Sequence, residues 1–161
     1  MNFTPYTLDP ALDLELVREV DVAPELVWRA WTTPELLTQW FTPKPWETPQ
    51  CEIDLRPGGR FRTVMRSPEG EEVDSSGCYL EVVTGERLVW TSALAPGYRP
   101  QAGEMPFTAI IELQPTASGG TRYRAIAIHP TAQDRQQHSD MGFSDGWGAA
   151  LDQLIALMKT A

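Results

Sequence analysis

Few side chains in this 161-residue chain have the type and spacing that catalysis requires. General acid–base chemistry needs a titratable group inside a partly dry pocket. Four residues qualify by type, and no two of them form a recognisable pair: Arg18, Tyr79, Glu81 and His129. Cys51 and Cys78 lie near no histidine in any motif, so thiol nucleophile chemistry is not indicated either. The sequence therefore assigns no catalytic residue.

Metal and cofactor binding are not indicated by the remaining polar residues. His129 and His138 lie in a stretch without cysteine and without the spacing of metal ligands. We therefore predict no metal site and no cofactor. Cys51 and Cys78 permit one disulfide, although two reduced thiols packed as small apolar side chains are favoured.

Charge and hydropathy limit the classes of partner. The formal net charge of −9 argues against nucleic acid or an anionic membrane surface. No apolar run approaches the ~20 residues needed to span a bilayer. The start of the chain, "MNFTPYTLDPALD", lacks the basic and apolar regions of a secretory signal, which predicts a cytoplasmic protein. The length fits a short lead-in over residues 1–12 and a single domain over residues 13–161. We expect this domain to be a monomer or a homodimer.

The first elements that must position any site are a strand and two short helices. Apolar and acidic residues alternate from Asp13, which predicts a strand. "PELVWRAW" and "PELLTQWF" then predict helices that begin at Pro24 and Pro34, the second capped by Thr33. Arg18 falls on the apolar side of the strand, where a polar anchor in a cavity, a rim position or a buried partner carboxylate would each account for it.

A series of antiparallel strands is predicted next. "CEIDLRPGGRFRTVM" indicates a hairpin with a three-residue loop, Pro57–Gly59. That loop predicts these opposite pairs: Leu55 with Phe61, Asp54 with Arg62, Ile53 with Thr63, Glu52 with Val64 and Cys51 with Met65. Further strands are predicted over about residues 73–83, 87–92, 107–113 and 121–129, with a bulge or sharp bend at Gly77.

The chain ends in a long amphipathic helix, predicted to run from residue 131 or 132 to Met158. One apolar stripe of this helix is predicted to face inward: Phe143, Trp147, Ala150, Leu151, Leu154, Ile155 and Met158. Gly146 and Gly148 lie on the two shoulders of that stripe, beside Trp147. Glycine in a helix costs ~1 kcal/mol relative to alanine, so we predict that neighbouring backbone approaches both glycines. Gly148→Leu should then destabilise the protein by overpacking.

Together these elements predict an α+β fold in which a bent antiparallel sheet of about six or seven strands wraps around the last helix. The space between sheet and helix is either filled by side chains or left as an apolar pocket. The candidate ligand-binding residues are Arg18, Trp40, Phe41, Phe61, Met65, Tyr79, Trp90, Phe143, Trp147 and Leu151. Taken singly, each aromatic residue among them is more often part of a core than of a site.

Four stretches resemble one known superfamily: "PELVWRAWTTPELLTQWF", "CEIDLRPGGRFRTVM", "GCYLEVVTGERLVWT" and "GWGAALDQL". They are similar to the START-like, Bet v 1-like superfamily, in the branch related to the C-terminal domain of the heat-shock-protein-90 ATPase activator. The resemblance implies a helix-grip fold, with a curved sheet gripping the C-terminal helix and two short helices closing one end. It also implies a cavity beside Trp147 and no shared catalytic motif. Where many relatives read Trp-Trp or Trp-Gly before proline, this chain has Trp40-Phe41-Thr42-Pro43.

Three functions follow as expectations. The first is binding of a small hydrophobic molecule between the sheet and the last helix. The alternative is an interaction module for a chaperone or another stress-related protein. The third, and least favoured, is an enzyme that acts on an apolar substrate in the same cavity.

Overall fold

The computed structural model describes residues 3–160, which form one large antiparallel sheet with helices packed on one side. The strands are β1 (Asp13–Val20), β2 (Glu47–Ile53), β3 (Arg60–Arg66), β4 (Glu72–Val83), β5 (Arg87–Thr91), β6 (Leu94–Ala95), β7 (Arg99–Pro100), β8 (Thr108–Pro115) and β9 (Thr121–Ile128). The helices are α1 (Pro24–Thr32), α2 (Pro34–Leu37), α3 (Ala132–Asp140) and α4 (Phe143–Lys159). None of these helices is long and apolar enough to cross a membrane.

The seven strands of the main sheet lie in the order β1-β9-β8-β5-β4-β3-β2, while β6 and β7 form a separate two-stranded ribbon. Because β1 and β2 are both edges, the sheet is curved but not closed. Helix α4 contacts β1 and α1 on the inner side of the sheet. The predicted α+β helix-grip architecture, with two short helices after the first strand, is therefore confirmed.

Apolar side chains cover both faces of the sheet. The larger core lies between the inner face and the helices and includes Leu37, Trp90 and Leu154. On the outer face, Tyr6 and Leu8 from the lead-in segment pack against a smaller cluster around Ile126. The inner face alone meets a helix, so the space available for a ligand lies there.

The β2–β3 hairpin differs from its predicted register by two residues. Ile53, rather than Leu55, lies opposite Phe61, and Glu52, rather than Asp54, lies opposite Arg62. The loop is longer than three residues because its own backbone bonds, Arg56 N to Asp54 O among them, take residues out of the ladder. A shift of two residues leaves every side chain on its predicted face, since side chains alternate with a period of two.

The predicted continuous C-terminal helix is wrong in one respect, because it is two helices. Gly142 separates α3 from α4 and has φ of 92°, a left-handed conformation that favours glycine. The side chain of Thr131 accepts a hydrogen bond from Asp134 N at the start of α3. By contrast, Thr33 makes no side-chain capping bond to α2, so that predicted cap is also wrong.

Gly77 is needed for a close approach rather than for a bulge. The irregularity in the β4–β5 register lies between Tyr79 and Glu81. At Gly77 itself, a Cβ atom would lie 2.4 Å from the carbonyl oxygen of Thr91 in β5. Only glycine allows β4 to pass this close to β5.

Candidate functional site

An open cavity of about 350 Å³ lies between the inner face of the sheet and helix α4. Most of the predicted ligand-binding residues line it: Trp40, Phe41, Phe61, Met65, Trp90, Phe143, Trp147 and Leu151. Trp31 and Phe107 also line it, although the sequence did not single them out as site residues. Side chains therefore leave a space between the helix and the sheet instead of filling it.

A wall of aromatic rings closes the end of the cavity beneath α1 and α2. The ring centroids of Trp31 and Trp40 are 4.8 Å apart, and those of Phe61 and Trp90 are 5.1 Å apart. Trp40 donates its Nε1–H to the carbonyl of Ala30 at 3.1 Å, so this indole nitrogen is satisfied within the protein. The wall is rigid and presents carbon surface to the cavity.

Tyr123 supplies a buried hydroxyl to the lining. Its oxygen accepts a hydrogen bond from Trp31 Nε1 at 3.2 Å, and only 3% of the residue is exposed. Burial raises the pKa of Tyr123, and the bond from Trp31 offsets part of this, so the hydroxyl stays protonated. Within residues 3–160, no protein acceptor takes its proton. The O–H is therefore available to a ligand.

His138 is a second polar lining residue, and sequence reasoning missed it as a site residue. It lies in α3, and its Nδ1 is 2.8 Å from Nε2 of His129 at the end of β9. Burial first, and the proximity of His129 second, lower the pKa of His138 to about 4. The imidazole is therefore neutral at physiological pH. Helical and strand periodicity could not have revealed a pair formed across a loop.

Three flexible side chains contribute to the lining of the cavity. They are Met65, Met105 and Met141, of which Met141 is 68% exposed. Methionine adapts its shape because its side chain is unbranched and has three rotatable bonds. The opening can therefore adjust to ligands of different shapes.

The two helix glycines lie on different sides of this site. Gly146 lines the cavity, and a Cβ there would meet only Pro43 Cγ at 3.8 Å. A Cβ at Gly148 would meet nothing within 4 Å in the described part of the chain. The prediction that backbone approaches both glycines is wrong, because neither Cβ position is crowded. The overpacking predicted for Gly148→Leu therefore loses the close backbone on which it was based.

Arg18 lies outside the cavity lining. Its Nη2 is 2.7 Å from Oδ1 of Asp152 in α4, and the two side chains are 35% and 66% exposed. Its Nη1 also donates to the carbonyl of Gly148 at 3.3 Å. Of the interpretations open from sequence, the structure supports neither a cavity anchor nor a buried carboxylate partner, because this ion pair is exposed to solvent. Such exposed pairs contribute little to stability.

Tyr79 also lies outside the lining, in the core behind it. Its ring stacks on Phe61 with centroids 5.3 Å apart, and the residue is fully buried. Within residues 3–160 its hydroxyl has no hydrogen-bond partner, and burial raises its pKa. An unpaired buried hydroxyl reduces the stability of the fold.

Tyr79→Phe is therefore expected to raise the free energy of unfolding by about 1–2 kcal/mol, since it removes the unpaired oxygen and keeps the ring. The corresponding rise in Tm is roughly 2–8 °C for a chain of this size. Thermal and urea unfolding measure both quantities. Tyr123→Phe is the matched control and is expected to destabilise, because it leaves Trp31 Nε1 unpaired. A loss of stability in Tyr79→Phe would contradict the assignment.

The remaining candidates for chemistry do not converge on the cavity. Cys51 and Cys78 are both free thiols, and Cys78 is buried. Glu81 lies 3.4 Å from Arg87 in an ion pair on the other side of the sheet from the ring wall. Within residues 3–160, no group of three or more metal-ligating side chains is brought together.

Comparison with known proteins places this geometry among related structures. Residues 21–159 match the family described as Activator of Hsp90 ATPase homolog 1-like protein. The protein NE0264 from Nitrosomonas europaea is 54% identical, with a TM-score of 0.91 over 95% of this chain and 97% of its own. A protein from Arthrobacter aurescens is 22% identical, with a TM-score of 0.79 over 94% of this chain and 88% of its own. An AHSA1-like protein from Aeromonas hydrophila is 20% identical, with a TM-score of 0.67 over 92% of this chain and 93% of its own. No curated protein matches significantly.

Proposed function

Because this chain belongs to the Activator of Hsp90 ATPase homolog 1-like family, we propose that it uses the family fold to bind a small, uncharged, mainly apolar molecule. The observation that carries this proposal is the aromatic-lined cavity of about 350 Å³ between the sheet and α4. Unfilled space inside a protein forfeits packing energy, and a ligand that occupies it restores those contacts.

The size of the cavity indicates how large the ligand is. A dry cavity of about 150 Å³ holds one benzene ring. About 350 Å³ therefore has room for a molecule of two fused rings or of comparable volume. The cavity is open to solvent, so such a molecule can enter it.

The lining chemistry indicates that the ligand is uncharged. No aspartate, glutamate, lysine or arginine is among the residues that line this cavity in the described part of the chain. A charged ligand would lose its hydration here without gaining an ionic partner, which is costly. The net charge of −9 further disfavours anions.

The experiment that tests this function has two arms. Native mass spectrometry of freshly purified protein, compared with denaturing conditions, detects a noncovalent ligand as an extra mass that is released. Titration with naphthalene, followed by calorimetry and by quenching of tryptophan fluorescence, tests the cavity with a defined probe. We expect saturable one-to-one binding. Absence of both an extra mass and naphthalene binding up to its solubility limit would overturn the proposal.

The second candidate function is interaction with a chaperone of the Hsp90 class, which the description of the family favours. Apolar side chains in loops away from the cavity lining are available for contact, Trp46 at 38% and Tyr98 at 50% exposed. A binding assay with a purified Hsp90 tests this function. We expect any such binding to be weakened by Trp46→Ala and unaffected by naphthalene.

A further inference from the structure

We propose that the ligand of this cavity carries a hydroxyl group and donates its proton to Nε2 of His138, which makes the ligand class a hydroxylated aromatic molecule. This inference rests on the proposed function, because it specifies the chemistry of the molecule that occupies the same cavity. It follows from a chain of hydrogen bonds whose direction is determined by its first acceptor.

The first link is between His129 and the backbone. His129 Nδ1 lies 2.8 Å from the carbonyl oxygen of Leu12. A carbonyl oxygen can only accept, so Nδ1 of His129 must carry the proton. At a pH well above the ordinary imidazole pKa each ring carries one proton, and Nε2 of His129 is then an acceptor.

The second link gives the orientation of His138. Its Nδ1 is 2.8 Å from His129 Nε2, and since that atom accepts, Nδ1 of His138 must donate. The remaining nitrogen, Nε2 of His138, therefore carries a lone pair and no proton. It has no protein partner among residues 3–160. A neutral imidazole held in this way is a strong, oriented hydrogen-bond acceptor.

The surroundings of His138 show what kind of group meets that lone pair. Only 7% of the residue is exposed, and its ring lies 4.9 Å from Phe107, 5.3 Å from Phe143 and 6.3 Å from Trp147 between centroids. All four side chains line the cavity. An acceptor in such an aromatic frame favours a donor attached to a flat apolar body, because a ligand without a donor covers this nitrogen and leaves it unpaired.

The uncharged lining argues against a charged donor. A ligand ammonium would also donate to Nε2, but no carboxylate lines this cavity in the described part of the chain to balance its charge. A neutral hydroxyl supplies the hydrogen bond without that cost. The buried hydroxyl of Tyr123 offers a donor and therefore suits an acceptor atom on the ligand rather than this proton.

The test uses three probes with one carbon skeleton: naphthalene, 2-methoxynaphthalene and 2-naphthol. The methoxy compound keeps the acceptor oxygen of naphthol and lacks its donor, so the difference between them isolates the bond to His138. We expect 2-naphthol to bind about tenfold more tightly than 2-methoxynaphthalene, which corresponds to about 1.4 kcal/mol. Calorimetry at pH 8, well above the ordinary imidazole pKa, measures all three dissociation constants.

Two substitutions at His138 separate its structural bond from its ligand-facing atom. His138→Asn places an amide N–H near the former Nδ1, where it can still donate to His129, and removes the atom at Nε2. His138→Gln places an amide oxygen near the former Nε2 and loses the bond to His129. We expect the Asn variant to lose the preference for naphthol and the Gln variant to keep part of it.

Excited-state proton transfer supplies a second readout, since bound 2-naphthol should show naphtholate emission in the wild type and not in the Asn variant.

The outcomes distinguish failure of this inference from failure of the proposed function. If none of the probes binds, the proposed function fails. If naphthalene binds and 2-naphthol binds no more tightly than 2-methoxynaphthalene, the cavity is a ligand site and the inference about the hydroxyl is overturned. A preference for naphthol that survives in the Asn variant would also overturn it, because the donor would then be meeting another atom. If a variant does not fold, the wild-type comparison still tests whether the ligand donates a hydrogen bond, and the other variant tests whether His138 accepts it.

Discussion

Gly146→Leu is expected to weaken naphthalene binding roughly tenfold to a hundredfold, while Gly148→Leu leaves it unchanged. The two glycines are two residues apart on α4, and only Gly146 lines the cavity. A leucine side chain at 146 takes up space in the cavity, so the ligand must displace it or bind less deeply. Gly148 is not a lining residue, and a Cβ there meets no described atom within 4 Å.

The two leucine variants control each other for effects on the stability of helix α4. Both substitutions replace glycine by a strong helix former, which stabilises a helix by about 0.8 kcal/mol. Neither Cβ position is crowded. We therefore expect both variants to unfold at a temperature equal to or above that of the wild type. Calorimetric titration and thermal unfolding of both proteins measure the two effects. Equal loss of affinity in both variants would place the ligand elsewhere.

Gly77→Ala is expected to lower the free energy of unfolding by about 3 kcal/mol or more, the largest effect on stability that we expect. The new Cβ would lie 2.4 Å from the carbonyl oxygen of Thr91, a backbone atom that belongs to the neighbouring strand. This steric clash can be relieved only if β4 and β5 move apart, because neither the new Cβ nor the carbonyl oxygen belongs to the end of a flexible side chain. The expected fall in Tm is roughly 6–12 °C.

Gly103→Ala is the matched control for this substitution. Gly103 has no positive φ, and a Cβ there would meet no atom of the described chain within 4 Å. We expect its stability to stay within about 0.5 kcal/mol of the wild type or to rise slightly, since alanine restricts the unfolded chain. Urea unfolding of both variants makes the comparison. A Gly77→Ala protein as stable as Gly103→Ala would show that β4 and β5 do not approach so closely.

The sequence by itself determined the class of fold and which faces are buried. Alternation from Asp13 and the apolar stripe of α4 reflect the periods of strand and helix, and these periods are properties of the local backbone. The same patterns identified most of the aromatic lining, since residues such as Trp90 and Trp147 point inward in any packing of these elements. The resemblance of four stretches to a known family was confirmed because it depends on those same local patterns.

Only the tertiary structure decided what each inward-facing residue does. Periodicity says that Tyr79 and Trp90 both face the core, yet one is packed behind Phe61 and the other borders the cavity. Arg18 faces the same side, but a partner on α4 directs it to the surface. These outcomes depend on how far apart the sheet and the helix lie, which no local pattern encodes.

The polar groups of the site depend even more on long-range placement. His129 and His138 form a pair because the chain turns between the end of β9 and the start of α3, which brings the centroids of the two rings to 5.1 Å. Nothing in the spacing of two histidines nine residues apart predicts that contact. Local physics made the aromatic lining of the cavity predictable, whereas its volume and the orientation of His138 arise only from the packing of distant segments.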